Sequence, residues 1–134
     1  MNSLSKEQLI ECFKPVFKQS GFKKMRTNWR KTTDDLIFVL NIQGSQWDKE
    51  DYYINVGVYI KSLGTEQNPT EYSCHIRSRI DERDRSCSSI CNEIMEWFEK
   101  HGSIQKLKLL RSQDNLPLFT KIDAKNYLDD SIQE

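Results

Sequence analysis

Leu36-Ile37-Phe38-Val39-Leu40-Asn41-Ile42-Gln43 is the stretch whose reading decides the fold. Side chains alternate across an extended chain, so Leu36, Phe38, Leu40 and Ile42 share one face, and Ile37, Val39, Asn41 and Gln43 share the other. Both faces are apolar at the start, as in a strand covered on both sides there. Thr32-Thr33-Asp34-Asp35 before it reads as a turn. After a polar loop around Trp47, Tyr52 to Lys61 sets Tyr52, Ile54, Val56, Val58 and Ile60 on one face, with Asn55, Gly57 and Tyr59 on the other. Glu71 to Ile80 is expected to point Tyr72, Cys74, Ile76 and Ser78 inward, and Ser73, His75, Arg77 and Arg79 outward. Upstream, Met25, Thr27 and Trp29 alternate with Arg26, Asn28 and Arg30, a half-buried strand. Strands in succession with short connections imply an antiparallel meander.

Helical periodicity flanks these strands. Ser5-Lys6-Glu7-Gln8 is a capping box opening a helix over residues 4–20, with Leu9, Phe13, Val16 and Phe17 as its apolar stripe. Pro15 falls inside that stripe, and Gly21 is its stop. Beyond the strands, Ser86 or Ser88 caps a helix carrying Ile90, Ile94, Trp97 and Phe98, which Gly102 ends. A shorter helix fits residues 103–111. Residues 118–128 bring Leu118, Phe119, Ile122, Tyr127 and Leu128 to dock, and residues 129–134 are expected to be a frayed acidic tail. The expectation is one α+β domain over residues 1–134, with an N-terminal helix, an antiparallel sheet of about four strands, and C-terminal helices packed on one face.

Composition narrows the function classes. The chain has 134 residues, 37% of them apolar and 30% charged, which suits one globular domain rather than disorder. No apolar run approaches the roughly 18–20 residues of a membrane span. The opening residues mix Lys6, Glu7 and Glu11 among the apolar ones, unlike an export leader, so a cytoplasmic setting with reduced thiols is expected. Twenty basic and twenty acidic residues cancel. Their placement is uneven: Lys14, Lys18, Lys23, Lys24, Arg26, Arg30 and Lys31 crowd residues 14–31 with no acid among them. Overall neutrality argues against a general nucleic-acid binder, although this run with Trp29 is where one would be sought. Segregated charge suits a protein partner steered by field.

Catalytic chemistry finds little footing. A nucleophile needs a base and an orienting group. The only histidines are His75, next to Cys74 on a strand, and His101, at a helix end where the dipole favours a protonated imidazole. The acids cluster in polar turns, and no glycine loop cradles a phosphate. Cys74-His75, Cys87 and Cys91 have no common zinc spacing, so no metal and no cofactor are expected. What stands out is a surface. His75, Arg77 and Arg79 lie about 7 Å apart along one strand face. Arg26 and Arg30 are outward on a neighbouring strand, and Asn41, Gln43, Asn55 and Tyr59 line the same second face. Arginine and aromatic side chains are favoured in protein interfaces.

Several segments resemble a small bacterial family of unknown function, numbered 4304. Phe13-Lys14-Pro15, Gly21-Phe22-Lys23-Lys24 and Trp29-Arg30 look like its opening. Asn41-Ile42-Gln43-Gly44-Ser45, Asn55-Val56-Gly57-Val58 and Ile76-Arg77-Ser78-Arg79-Ile80 look like its strands. The resemblance covers residues 9–80 and implies an α+β fold in a bacterial cytoplasm, with no established catalytic residues. Small solitary domains of this style often resemble immunity proteins that neutralise polymorphic toxins.

The expected function is a non-enzymatic protein-binding module, concretely an immunity-type inhibitor covering the active surface of a toxin. Its expected contact residues are Arg26, Trp29, Arg30, Gln43, Trp47, Tyr59, Arg77 and Arg79. Arg77→Glu is expected to abolish partner binding without unfolding the domain. The alternative is an anion or phosphate sensor, or an enzyme, using Arg77, Arg79 and His75 on the sheet face.

Overall fold

The computed structural model describes residues 4–44 and 52–130. Helix α1 (Lys6–Gln19) begins where expected, because the Ser5 hydroxyl accepts from the Gln8 N–H and the Gln8 side chain accepts from the Ser5 N–H. The helix runs through Pro15. Six strands follow among the described residues: β1 (Lys23–Met25), β2 (Asn28–Thr32), β3 (Leu36–Gly44), β4 (Tyr52–Ile60), β5 (Ile76–Ile80) and β6 (Phe119–Thr120). Helices α2 (Cys87–Lys100) and α3 (Ile104–Ser112) lie between β5 and β6, and α4 (Ile122–Asp130) closes the described chain. The spatial order of the strands is their order in the sequence, and every pair is antiparallel, so the meander is borne out.

Two differences raise the strand number from about four to six. Residues 22–31 form a hairpin rather than one strand: Met25 pairs with Asn28, and Arg26 takes a positive φ of 58° to make the tight turn between them. No glycine or asparagine at residue 26 signals that turn. The two-residue β6 then adds to the free edge of β5, pairing Phe119 with Arg77.

The stretch after Pro69 also departs from the alternating pattern. The Thr70 hydroxyl accepts from the Ser73 N–H and caps a single helical turn, Glu71–Ser73, so β5 starts only at Ile76. Tyr72 therefore points out, 77% exposed, instead of inward. Cys74 drops onto the second sheet face beside Ile37, Val39 and Tyr59.

The expected strand parity otherwise holds. Leu36, Phe38, Leu40 and Ile42 of β3 join Ile54, Val56, Val58 and Ile60 of β4 in the main core. Leu9, Phe13 and Phe17 of α1, Ile90, Ile94 and Phe98 of α2, Leu107 and Leu110 of α3, and Ala124 and Leu128 of α4 cover them. Each large side chain so buried contributes about 1.5–3 kcal/mol. The helices thus pack on one face, as expected. On the other face a smaller core of Ile37, Val39, Tyr59 and Cys74 is roofed by the β4–β5 connection, where the Tyr59 hydroxyl accepts from the Glu66 N–H. Gly57 permits that roof: a Cβ there would lie 2.7 Å from Cys74 Cβ. Asp129 and Asp130 belong to α4 rather than to a frayed tail, and Arg111 holds Asp129 through two bonds of 2.9 Å.

Candidate functional site

The roof leaves half of the second sheet face uncovered, and an ordered polar chain crosses it. Asn28 Oδ1 accepts from Asn41 Nδ2 at 2.8 Å. Asn55 Nδ2 donates to Asn41 Oδ1 at 3.2 Å and to Gln43 Oε1 at 3.1 Å. Arg79 Nε donates to Asn55 Oδ1 at 3.1 Å. The chain therefore spans β2, β3, β4 and β5. Register explains it, because Asn28 faces Asn41, Asn41 faces Asn55, and Asn55 faces Arg79 across successive strands. Asn55 is 3% exposed and bonded at both ends of its amide, so its orientation is fixed. Arg79 is exposed, and its guanidinium lies 4.2 Å from the Tyr53 ring centroid.

Arg77 is held differently. Its Nε and Nη2 donate to the Glu71 carboxylate at 2.8 and 3.2 Å, and its guanidinium stacks 5.0 Å from Tyr72. The bonded carboxylate pushes the Arg77 pKa above its ordinary value. The fork makes Arg77→Glu a poor probe of binding, since it would set two carboxylates together at a side chain only 7% exposed. Asn55, Glu71, Arg77, Ser78, Arg79 and Phe119 enclose a cavity of about 180 Å³. Phe119 in its wall is 64% exposed and Tyr72, which Arg77 overlies, is 77% exposed, while Leu118 and Ile122, flanking β6 in the sequence, are 89% and 70% exposed.

The expected contact residues divide. Gln43, Arg77 and Arg79 come together on this face. Arg26 is exposed in the β1–β2 turn. Arg30 is half-buried and donates from Nε to the Pro69 carbonyl at 2.8 Å, so it fastens the roof to β2. Trp47 lies outside the described residues. Trp29 and Tyr59 are not surface residues: they are 1% and 3% exposed. Trp29 packs edge-on against Phe13 at 5.5 Å, because the β1–β2 hairpin folds over α1. Among the described residues its indole N–H has no hydrogen-bond partner.

His75 is likewise interior, 4% exposed, and its Nδ1 accepts from the Ile60 N–H at 2.9 Å. Burial lowers its pKa, and an Nδ1 already accepting a backbone bond does not serve as a base toward ligand. His101 caps α2 as expected, yet it too is buried, 3% exposed and stacked 4.1 Å from Trp97. Its pKa is lowered by burial, which outweighs the bond to the Trp97 carbonyl that favours the charged ring.

Tyr53, Glu71, Tyr72 and Phe119 were not among the expected contacts. Tyr53 carries a readable signal, since it shares strand parity with Asn55 and Tyr59. Phe119 carries none, as its place depends on an edge strand of two residues.

A second concavity lies on the other side of the β1–β2 hairpin. Lys14, Pro15 and Lys18 of α1 face Phe22, Lys23, Lys24 and Trp29 across a groove of about 650 Å³. Lys24 Nζ sits 5.6 Å from the Trp29 ring centroid. This groove gathers four of the seven cations in residues 14–31.

The cysteines also regroup. Cys12 and Cys87 form a disulfide between α1 and α2, rather than remaining free thiols. Cys91 lies against them, whereas Cys74 is buried on the far face of the sheet. The set Cys74, His75, Cys87 and Cys91 does not assemble.

Among the described residues, no helix is long and apolar enough to cross a membrane. The architecture is that of an α+β domain: an antiparallel meander backed by helices, with a half-open polar face. Residues 13–119 match the family model described as "Domain of unknown function (DUF4304)", and the chain belongs to that family. No curated protein and no solved structure matches the chain.

Proposed function

We propose that the protein is a non-enzymatic protein-binding module of the immunity type, which neutralises a bacterial polymorphic toxin by covering its active surface. One observation carries the reading: Arg79 is exposed yet held in place by Asn55 and Tyr53, and it lines one cavity with the exposed Phe119. Such a side chain loses little freedom on binding, which is what an interface anchor needs. The adjoining cavity of about 180 Å³ supports the same reading. Small-molecule pockets usually measure about 300–1,000 Å³, so this face suits a broad partner better than a metabolite. The interior place of His75 also weighs against an enzyme built on this face. Bacterial origin, a cytoplasmic setting and the toxin belong to the proposal.

The test is a pull-down with the tagged chain, at low and moderate salt, comparing wild type with Arg79→Glu. A stoichiometric protein partner retained by wild type at moderate salt, and lost by Arg79→Glu with an unchanged circular dichroism spectrum, supports the reading. Equal retention by Arg79→Glu removes the arginine face from it.

The alternative anion-binding reading is better supported at the lysine groove than at the sheet face. A concavity of about 650 Å³ with Lys14, Lys18, Lys23 and Lys24 around it has the size and charge for a phosphorylated small molecule. Calorimetric titration with inorganic pyrophosphate at low salt checks it. Binding that Lys14→Glu combined with Lys24→Glu removes would favour this reading, and no heat of binding would sink it.

A further inference from the structure

Helices α1 and α2 bring three sulfurs to one place. Cys12 comes from α1, and Cys87 and Cys91 stand one turn apart on α2, with all three Sγ atoms within 4.8 Å of one another. Cys12 and Cys87 are bonded, with Cα atoms 6.0 Å apart. A disulfide accounts for two sulfurs and leaves the third unexplained. Cys91 is 4% exposed, yet its Sγ sits 3.6 Å from that of Cys12.

That spacing has a coordination meaning. Thiolates around zinc at about 2.3 Å in a tetrahedron lie roughly 3.8 Å from one another. The Cys12–Cys91 pair is already at such an edge. Once reduced, Cys12 and Cys87 separate to non-bonded contact, which is nearly the same edge. Two ligands four residues apart on one helix and a third from the facing helix make a compact tripod. All three donors are sulfur, a set that selects thiophilic d10 cations and passes over magnesium and calcium. Cys87 is the first residue of α2, whose N-terminal dipole offsets part of the thiolate charge. Cys12 and Cys87 are only half-buried, so the fourth position opens toward solvent.

We propose that the reduced protein binds one thiophilic d10 cation of the zinc class through Cys12, Cys87 and Cys91, with an open fourth position, and that the Cys12–Cys87 disulfide is the metal-free, oxidised form of the same site. Conversion needs a two-electron reductant of the dithiol or phosphine class. The S–S bond breaks, each sulfur takes one electron and one proton, and the dithiol closes to its own disulfide or the phosphine takes oxygen from water. Metal entry then releases the three thiol protons and forms three metal–sulfur bonds. The site lies on the helical side of the sheet, so it stands or falls independently of the arginine face.

The experiment reduces the full chain with a phosphine, removes the reductant without air, and titrates it with Co(II), then with Zn(II). The expected result is one equivalent of Co(II), with sulfur-to-cobalt charge transfer in the near ultraviolet and the intense visible bands of tetrahedral cobalt, both erased by Zn(II). Cys91→Ser, which keeps the disulfide and so its oxidised fold, is expected to weaken Zn(II) binding by at least roughly 100-fold, the upper end of what losing an outer-shell partner costs. Cys74→Ser should bind as wild type does. Absence of the charge-transfer band in reduced wild type, or wild-type affinity in both Cys91→Ser and Cys91→Ala, overturns the proposal. So does a reduced chain that loses its helical circular dichroism and does not regain it with Zn(II).

Discussion

Arg77 lays its guanidinium fork on Glu71, six residues back along the chain, with Nε to Oε2 at 2.8 Å and Nη2 to Oε1 at 3.2 Å. The two partners are unequally buried: the side chain of Glu71 is 7% exposed and that of Arg77 27%. That asymmetry decides which deletion hurts. Arg77→Ala strands a carboxylate in the interior, whereas Glu71→Ala frees a guanidinium that can turn to water. Arg77→Ala is expected to cost about 3 kcal/mol, and Glu71→Ala about half of that. Urea denaturation of both, and of the double variant, checks it. Equal losses would mean that the fork is solvated rather than buried.

Asn55 is the joint of the polar chain across the sheet. Asn55→Ala leaves the Asn41 and Gln43 oxygens without their donor and Arg79 without its acceptor. The expected destabilisation is about 1–3 kcal/mol, with Arg79 freed from Tyr53. A lower urea midpoint should appear together with weaker partner binding in the pull-down. Reduced stability with undiminished binding would show that Arg79 needs no positioning.

Both histidines are interior, and burial lowers the pKa of each below its ordinary 6.5. The unfolded chain therefore binds protons that the folded chain refuses. Their contribution is fully present above about pH 6.5 and is lost as pH falls through the folded values. Stability should decline toward pH 5, with a slope of up to about 1.4 kcal/mol per pH unit for each histidine. Thermal unfolding between pH 8 and pH 5 measures it, and His75→Gln should flatten the decline. A midpoint that rises on acidification would contradict the buried, neutral imidazoles.

Gly57 sits opposite Arg77 in the centre of the sheet, with Cys74 over it. An added Cβ would meet Cys74 Cβ at 2.7 Å and Sγ at 2.9 Å. Gly57→Ala is expected to cost about 1–3 kcal/mol through overpacking. Adding Cys74→Ala should recover little, because the nearest atom is the β-carbon that alanine keeps. Full recovery in the double variant would assign the crowding to sulfur instead.

Much of the architecture is legible in residue order. The alternation of Leu36 to Gln43 places β3 and its two faces correctly, and the Ser5–Gln8 box places the start of α1. The misreadings share a cause: local capping or turn chemistry interrupts an alternation that looks continuous. Thr70 starts a helical turn within what reads as a strand from Glu71, and Arg26 reverses the chain without a glycine. The site is harder to read, because exposure depends on what lies across the chain. Tyr59 shares the face of Asn55 and is covered by the roof segment, whereas Trp29 sits on the strand face opposite Arg26 and Arg30, so its alternation already points to the core that α1 completes. The arginines at 77 and 79 are visible as a pair, while their partners Glu71 and Tyr53 emerge only from the register. The sulfur cluster needs the approach of α1 to α2, which no spacing within one segment reports.

The sheet lists its strands in the order in which they are made. Strands β1 to β4 each find their neighbour after a short loop closure, β5 follows after the longer roof segment of residues 61–75, and the entropy cost of assembly is spread over successive pairings. Most of the sheet can zip from one end without waiting for distant segments, which favours rapid folding for a β-rich domain. The exceptions are β6, which returns after two helices, and the clasp of α1 onto α2. Under load or partial denaturation such a sheet frays strand by strand from β6 inward, and the β3–β4 hairpin, the longest pairing, is the last to part.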